Sequence, residues 1–195
     1  MQIIRALVLL ACITSFSSVY ATLIESDLNA PGDGLLTIDT ATGLEWLDVV
    51  VTLGLSFNQA NASDFVTLQG FRHATESEMQ SLFTAANLTN SPIRLAENYA
   101  GAVLLVGLMG PGTDAGNLIY IEGWYDAGGV YSSVASIDYA KDYMNGRTAF
   151  GGFFFSRDST NPPTGNFLVR AVAEPATLAL LGLGLAGLGF SRRKQ

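Results

Sequence analysis

The sequence predicts an α+β fold: a small single domain with two early helices and an antiparallel sheet, carrying an apolar segment at each end. Three observations carry that expectation. Two capping boxes, Ser56 with Gln59 and Thr75 with Glu78, open helical stretches in the first half of the chain. After Asn87 the pattern changes to short apolar runs punctuated by Gly and Pro, which is the grammar of strands. Helices first and strands afterwards point to α+β rather than to alternating βαβ units.

Residues 1–21 read as a signal peptide. Arg5 precedes an apolar stretch from Ala6 to Ile13, and Val19-Tyr20-Ala21 places small residues for signal peptidase to cut after Ala21. The apolar core is too short for a membrane span. Leu9-Leu10-Ala11-Cys12 offers a competing lipoprotein site, but it would leave a very short apolar region, and a complete cleavage site follows it. Cys12 is the only cysteine, so the exported chain would rest on its core and not on disulfides.

Residues 22–172 are long enough for one ordinary domain. Leu35–Ile38 and Leu44–Leu47 read as strands joined by the turn Asp39–Gly43, where Gly43 suits a positive φ. A helix is expected from Ser56 to about Leu68, with Phe65 and Leu68 on one face, broken at Gly70-Phe71-Arg72. A second runs from Thr75 to about Asn87, with Met79, Leu82 and Phe83 at helical spacing. Ala102–Leu108 is a continuous apolar run, read as a buried strand ending at Met109-Gly110-Pro111-Gly112. Further strands are expected at Asn117–Glu122, Val130–Ile137 (after the turn Gly128-Gly129), Phe153-Phe154-Phe155 and Phe167–Val172, with Asn161-Pro162-Pro163 a loop. Trp46 reads as core.

Residues 173–195 form a separate terminal segment. Glu174-Pro175 precedes an apolar run from Leu178 to Phe190 containing Leu181, Leu185 and Leu188. Arg192, Arg193 and Lys194 follow it. The run would make roughly 20 Å of helix at ~1.5 Å per residue, short of the ~30 Å bilayer core. That length suits a transient inner-membrane tether, with the basic cluster as a cytoplasmic stop. An all-round apolar run ending in three cations argues against a buried core helix. In order and position the segment resembles the PEP-CTERM sorting signal of Gram-negative bacteria, with Ala173 where that signal has its first proline. The resemblance implies recognition and cleavage by an exosortase, a membrane cysteine protease-transpeptidase, in a bacterium that makes exopolysaccharide.

A second resemblance lies within the domain. Asp39-Thr40-Ala41-Thr42-Gly43-Leu44-Glu45-Trp46, Gly70-Phe71-Arg72-His73-Ala74-Thr75-Glu76-Ser77-Glu78 and Phe167-Leu168-Val169-Arg170-Ala171-Val172 resemble segments of bacterial Lcl-type domains. Those are related to the C-type-lectin-like fold, and some bind glycans or host proteins. Phe71 stands where that family has Trp, and the usual cysteine pair is missing.

Charge narrows the function. From Thr22 to Glu174 there are 17 acidic and 6 basic side chains, a formal charge of −11, which excludes a nucleic-acid surface and disfavours anionic lipid. His73 is the only histidine, so a zinc site has too few ligands, and His73 reads as a loop or helix-start residue. No motif frames a nucleophilic serine. Glu76 and Glu78 are explained by capping, and Asp138 and Asp142 by a solvated segment. Asp126, Asp158 and Asn161 are oxygen donors without calcium-loop spacing. Asn61 and Asn87 head N-x-S/T triplets of no expected consequence in a bacterial export. Tyr120, Trp124, Tyr125 and Tyr131 are the candidate platform for stacking sugar rings.

The expectation is an exported, non-enzymatic surface or matrix protein. Its partners would be signal peptidase, an exosortase-type protease, the inner membrane transiently and exopolysaccharide; it would take no metal or cofactor. The alternatives are an exported hydrolase of surface polysaccharide and an uncleaved, membrane-anchored periplasmic protein.

Overall fold

The computed structural model describes residues 22–110 and 112–172. The expected signal peptide, with Val19 and Ala21, and the terminal segment from Ala173 onward lie outside the described residues. The strands are β1 (Leu23–Ser26), β2 (Leu36–Asp39), β3 (Leu44–Leu47), β4 (Arg72–His73), β5 (Ser91–Leu95), β6 (Thr113–Ala115), β7 (Leu118–Tyr125), β8 (Tyr131–Ala140), β9 (Asn145–Phe150), β10 (Phe155–Ser156), β11 (Thr164–Asn166) and β12 (Leu168–Ala171). The helices are α1 (Phe57–Asn61), α2 (Asp64–Thr67), α3 (Glu76–Ala85) and α4 (Tyr99–Leu108), with 3₁₀ turns at Val49–Thr52 and Ala96–Asn98.

The α+β class holds, with two sheets where one was expected. The first is antiparallel in the order β1-β2-β3-β12-β4. The second runs β11-β7-β8-β9-β5, with β6 on β7 and β10 on β8; β11 lies parallel to β7. Among the described residues no helix is long and apolar enough to cross a membrane.

Side-chain alternation explains how the first sheet is buried on both faces. Trp46 and Val169 enter the main core with Met79, Leu82 and Phe83 of α3 and Leu105 and Val106 of α4. Their chain neighbours Leu47 and Leu168 turn to the opposite face, against Leu36 and Phe71. The β2–β3 turn forms as expected: Asp39 Oδ1 accepts the Ala41 N–H at 2.9 Å, and Gly43 has φ +67°.

One segment stitches the sheets together. Phe167, between β11 and β12, donates its N–H to the Trp124 carbonyl and accepts the Ala74 N–H, both at 2.9 Å. Beside it, β11 presses onto the Val49–Thr52 turn so closely that a Cβ on Gly165 would lie 2.2 Å from the Val49 carbonyl oxygen. The oxygen belongs to backbone and the Cβ is fixed to its own Cα, so neither can swing away. Gly165→Ala should therefore cost about 2–3 kcal/mol, read as a lowered urea midpoint.

Three expectations are corrected. The helix from Ser56 divides into α1 and α2, because Ser63 adopts an extended conformation between them; Leu68 is left 77% exposed. Ala102–Leu108 is helix α4 and not a strand. Its buried residues Gly101, Ala102, Leu105 and Val106 recur at helical spacing, and its small residues permit close approach: a Cβ on Gly146 of β9 would sit 2.9 Å from the Ala102 Cβ. Phe153–Phe155 is no strand core. Gly151 and Gly152, at φ +84° and +83°, turn the chain outward after β9. Phe153 and Phe154 are each 65% exposed, and only Phe155 and Ser156 pair, with β8.

Candidate functional site

The second sheet has an inner face packed on α4 and an outer face that carries a cleft. Ile119, Ile121 and Tyr125 of β7, with Ala135 and Ile137 of β8, point inward. The alternate positions point outward, and cross-strand register aligns them: Trp124 opposite Val134, Glu122 opposite Ser136, then Ser136 opposite Ala149 and Asp138 opposite Arg147. The loop after β9 folds back over this face. Phe153, Phe155 and Ser159–Asn161 complete a cavity of about 480 Å³ with Glu122, Trp124, Ser136 and Arg147.

Its chemistry is divided by position. At one end Glu122 Oε1 accepts the Thr164 hydroxyl, and the Asn161 carboxamide at 3.4 Å. At the other, Arg147 holds Asp138 through Nε at 2.7 Å and Nη2 at 2.6 Å. The wall between is aromatic: Trp124 and Phe155 meet edge to face with centroids 5.3 Å apart. A concave, partly apolar surface with a few directed polar groups is the form of a small-molecule site.

The structure does not bring the four expected platform residues together. Trp124 lines the cleft, but its ring is covered by Phe155. Tyr125 is fully buried in the core on the opposite face. Tyr120 is on the outer face opposite Asp138. Tyr131 is 52% exposed and lies beside Phe154 at the rim. Glu122, Arg147, Phe153 and Phe155 are the residues sequence reasoning missed. Alternation along Leu118–Glu122 would have turned Glu122 outward; nothing local announced Arg147.

The other candidates have structural partners. Asp126 pairs with Arg157 at 2.9 Å, and Asp158 accepts from Asn58 at 2.7 Å. Glu78 takes Arg72 through two contacts of 2.6 and 2.8 Å, which holds its carboxyl down at about 2. Among the described residues no three His, Cys, Asp or Glu side chains are placed to hold a metal. His73 is a strand residue in β4 and buried, rather than a loop or helix-start residue. Asn166 donates its amide to the Leu55 carbonyl at 3.3 Å, so its Oδ1 faces the ring and accepts from His73 Nε2–H at 2.9 Å. Nδ1 lies 3.1 Å from the Asn61 carboxamide. Phe57 stacks on the imidazole at 3.5 Å, and Arg157 covers Phe57. Both ring nitrogens thus face carboxamide groups inside the fold.

Two buried groups give stability opposing pH slopes. Burial holds His73 at about 4, below its ordinary 6.5. The unfolded chain binds a proton there that the fold refuses, so this contribution rises as pH climbs from about 4 to 6.5. Burial, then the charges of Glu25 and Asp33, lift Asp48 from 3.8 to about 7. There the fold keeps a proton that the unfolded chain releases, so this contribution falls over that range. Asp48→Asn should raise stability at pH 8 by on the order of 2 kcal/mol and uncover the His73 slope in acid. Thermal melts across pH check both.

The C-terminal residues bear on how the chain is handled. Ala173-Glu174-Pro175, the apolar run and the Arg192–Lys194 cluster directly follow β12. Residues 171–194 match the family model of the PEP-CTERM protein-sorting motif. The chain carries a PEP-CTERM sorting motif. The motif implies processing by an exosortase-type enzyme and an exported protein anchored at the membrane before processing. The PEP-CTERM match covers about an eighth of the chain and stops at β12. No curated protein and no solved structure matches.

Proposed function

We propose that this is a non-enzymatic binding protein of the cell surface or extracellular matrix. It is exported by the signal peptide at residues 1–21, tethered transiently by residues 178–190, and released or transferred when an exosortase cuts near Glu174 and Pro175. The observation that carries the reading is the PEP-CTERM motif set directly against the last strand of a folded domain, which makes the domain cargo. Its place is with exopolysaccharide, and the outer-face cleft is the binding site.

The Lcl-type resemblance supports a C-type-lectin-like relationship, because its motif residues do structural work. Asp39 and Gly43 make the β2–β3 turn. Arg72 and Thr75 both engage Glu78, closing the α3 capping box. Arg170 pairs with Glu45 at 2.6 Å. Mass spectrometry of the protein from its native host tests the sorting claim: the expected product lacks Arg192–Lys194, and an intact Gln195 on surface-located protein would overturn it.

A further inference from the structure

Every one of the six basic side chains among the described residues is ion-paired, in a domain where acid outnumbers base. Four of them have a carboxylate each. Arg94 of β5 and Arg147 of β9 share one, Asp138 of β8, which is 1% exposed. Arg94 Nε binds Oδ1 at 2.7 Å, and Arg147 binds Oδ2. Two guanidinium groups on one carboxylate leave one uncompensated positive charge at this end of the cleft, with the Glu122 carboxylate at the other end. It is the one place among the described residues where cations outnumber the carboxylates they bind.

The orientation of Arg147 makes that charge usable. Nε and Nη2, its side-on edge, are spent on Asp138. Its end-on edge, Nη1 with the second Nη2 proton, has no hydrogen-bond partner among the described residues, and Arg147 lines the cleft. A planar fork of N–H donors matches the two oxygens of a carboxylate. Glu122 lies two strand spacings and two residues away, across β8, a backbone separation of roughly 12 Å from strand spacing and rise. That is about the length of two sugar rings. Glu122 and Asn161 would meet hydroxyl groups, and the exposed Phe153 would meet an apolar ring face.

We infer that the cleft binds an acidic saccharide, with the carboxylate of a uronic-acid unit on the free edge of Arg147, the neighbouring ring against Phe153, and its hydroxyl groups at Glu122 and Asn161. This rests on the saccharide-binding reading above and adds the charge of the ligand. The test titrates the full-length chain, in a detergent without a sugar headgroup, with a short oligogalacturonide and with its carboxyl-reduced, neutral counterpart. The acidic form should bind at least about 10-fold more tightly. Arg147→Gln should erase that preference, and Phe153→Ala should weaken both ligands alike. The ligand comparison needs no variant, so a misfolded Arg147→Gln chain does not spoil it. Equal affinity for the two forms would overturn the carboxylate assignment while leaving saccharide binding intact. Binding of neither would overturn both.

Discussion

Replacing Glu174 and Pro175 together by alanine should leave the protein uncut and in the membrane fraction, still carrying Arg192–Lys194. The two residues are what remains of the motif's polar head once Ala173 stands at its first proline. A protease that reads a short polar motif loses its specific contacts when that motif goes, and about 100-fold or more in cleavage is the expected scale. The apolar run is unchanged in this variant, so insertion should proceed and processing alone should fail. Intact mass and fractionation in the native host separate the two. Normal processing of the double variant would remove the motif from the recognition step.

The second large effect is on the domain. Trp46→Ala should cost about 3–5 kcal/mol, a large part of the ~5–15 kcal/mol that holds an ordinary domain together. Trp46 is fully buried where the first sheet meets α3 and α4, and its loss opens a cavity in the middle of the main core. Urea denaturation followed by far-UV circular dichroism measures it. Phe153→Ala, on the surface, should change the stability measured this way by less than about 0.5 kcal/mol. That contrast separates the packing role of one aromatic residue from the ligand-facing role of the other.

Local chemistry was legible in the sequence wherever it decides a conformation by itself. The capping boxes of α1 and α3, the turn at Gly43 and the strand Leu44–Leu47 depend on neighbours in the chain, and they were found. What depends on partners far away was not. The α4 run is apolar on nearly every side, so periodicity carried no signal, and only the packing of Gly101 and Ala102 against distant backbone explains the helix. Phe153–Phe155 has the composition of a core strand, yet two glycines at positive φ eject it. β9 opens on Asn145-Gly146, residue types depleted in strands, so nothing local announces it. Arg147, and with it one end of the cleft, was therefore invisible until β8 supplied Asp138. The cleft is assembled by cross-strand register, which a single sequence does not display.

The position of β12 has a mechanical consequence. It is an interior strand, hydrogen-bonded to β3 on one side and β4 on the other, and the sorting motif begins at its last residue. Any pull arriving through the C-terminal attachment is drawn along the strand axis. It loads the hydrogen bonds to both neighbours together, in shear, instead of peeling them one at a time as at a sheet edge. Survival under such a load is set by the rate of forced unfolding rather than by equilibrium stability. A protein held to a surface by this end, in flowing medium, is gripped at one of its most shear-resistant points.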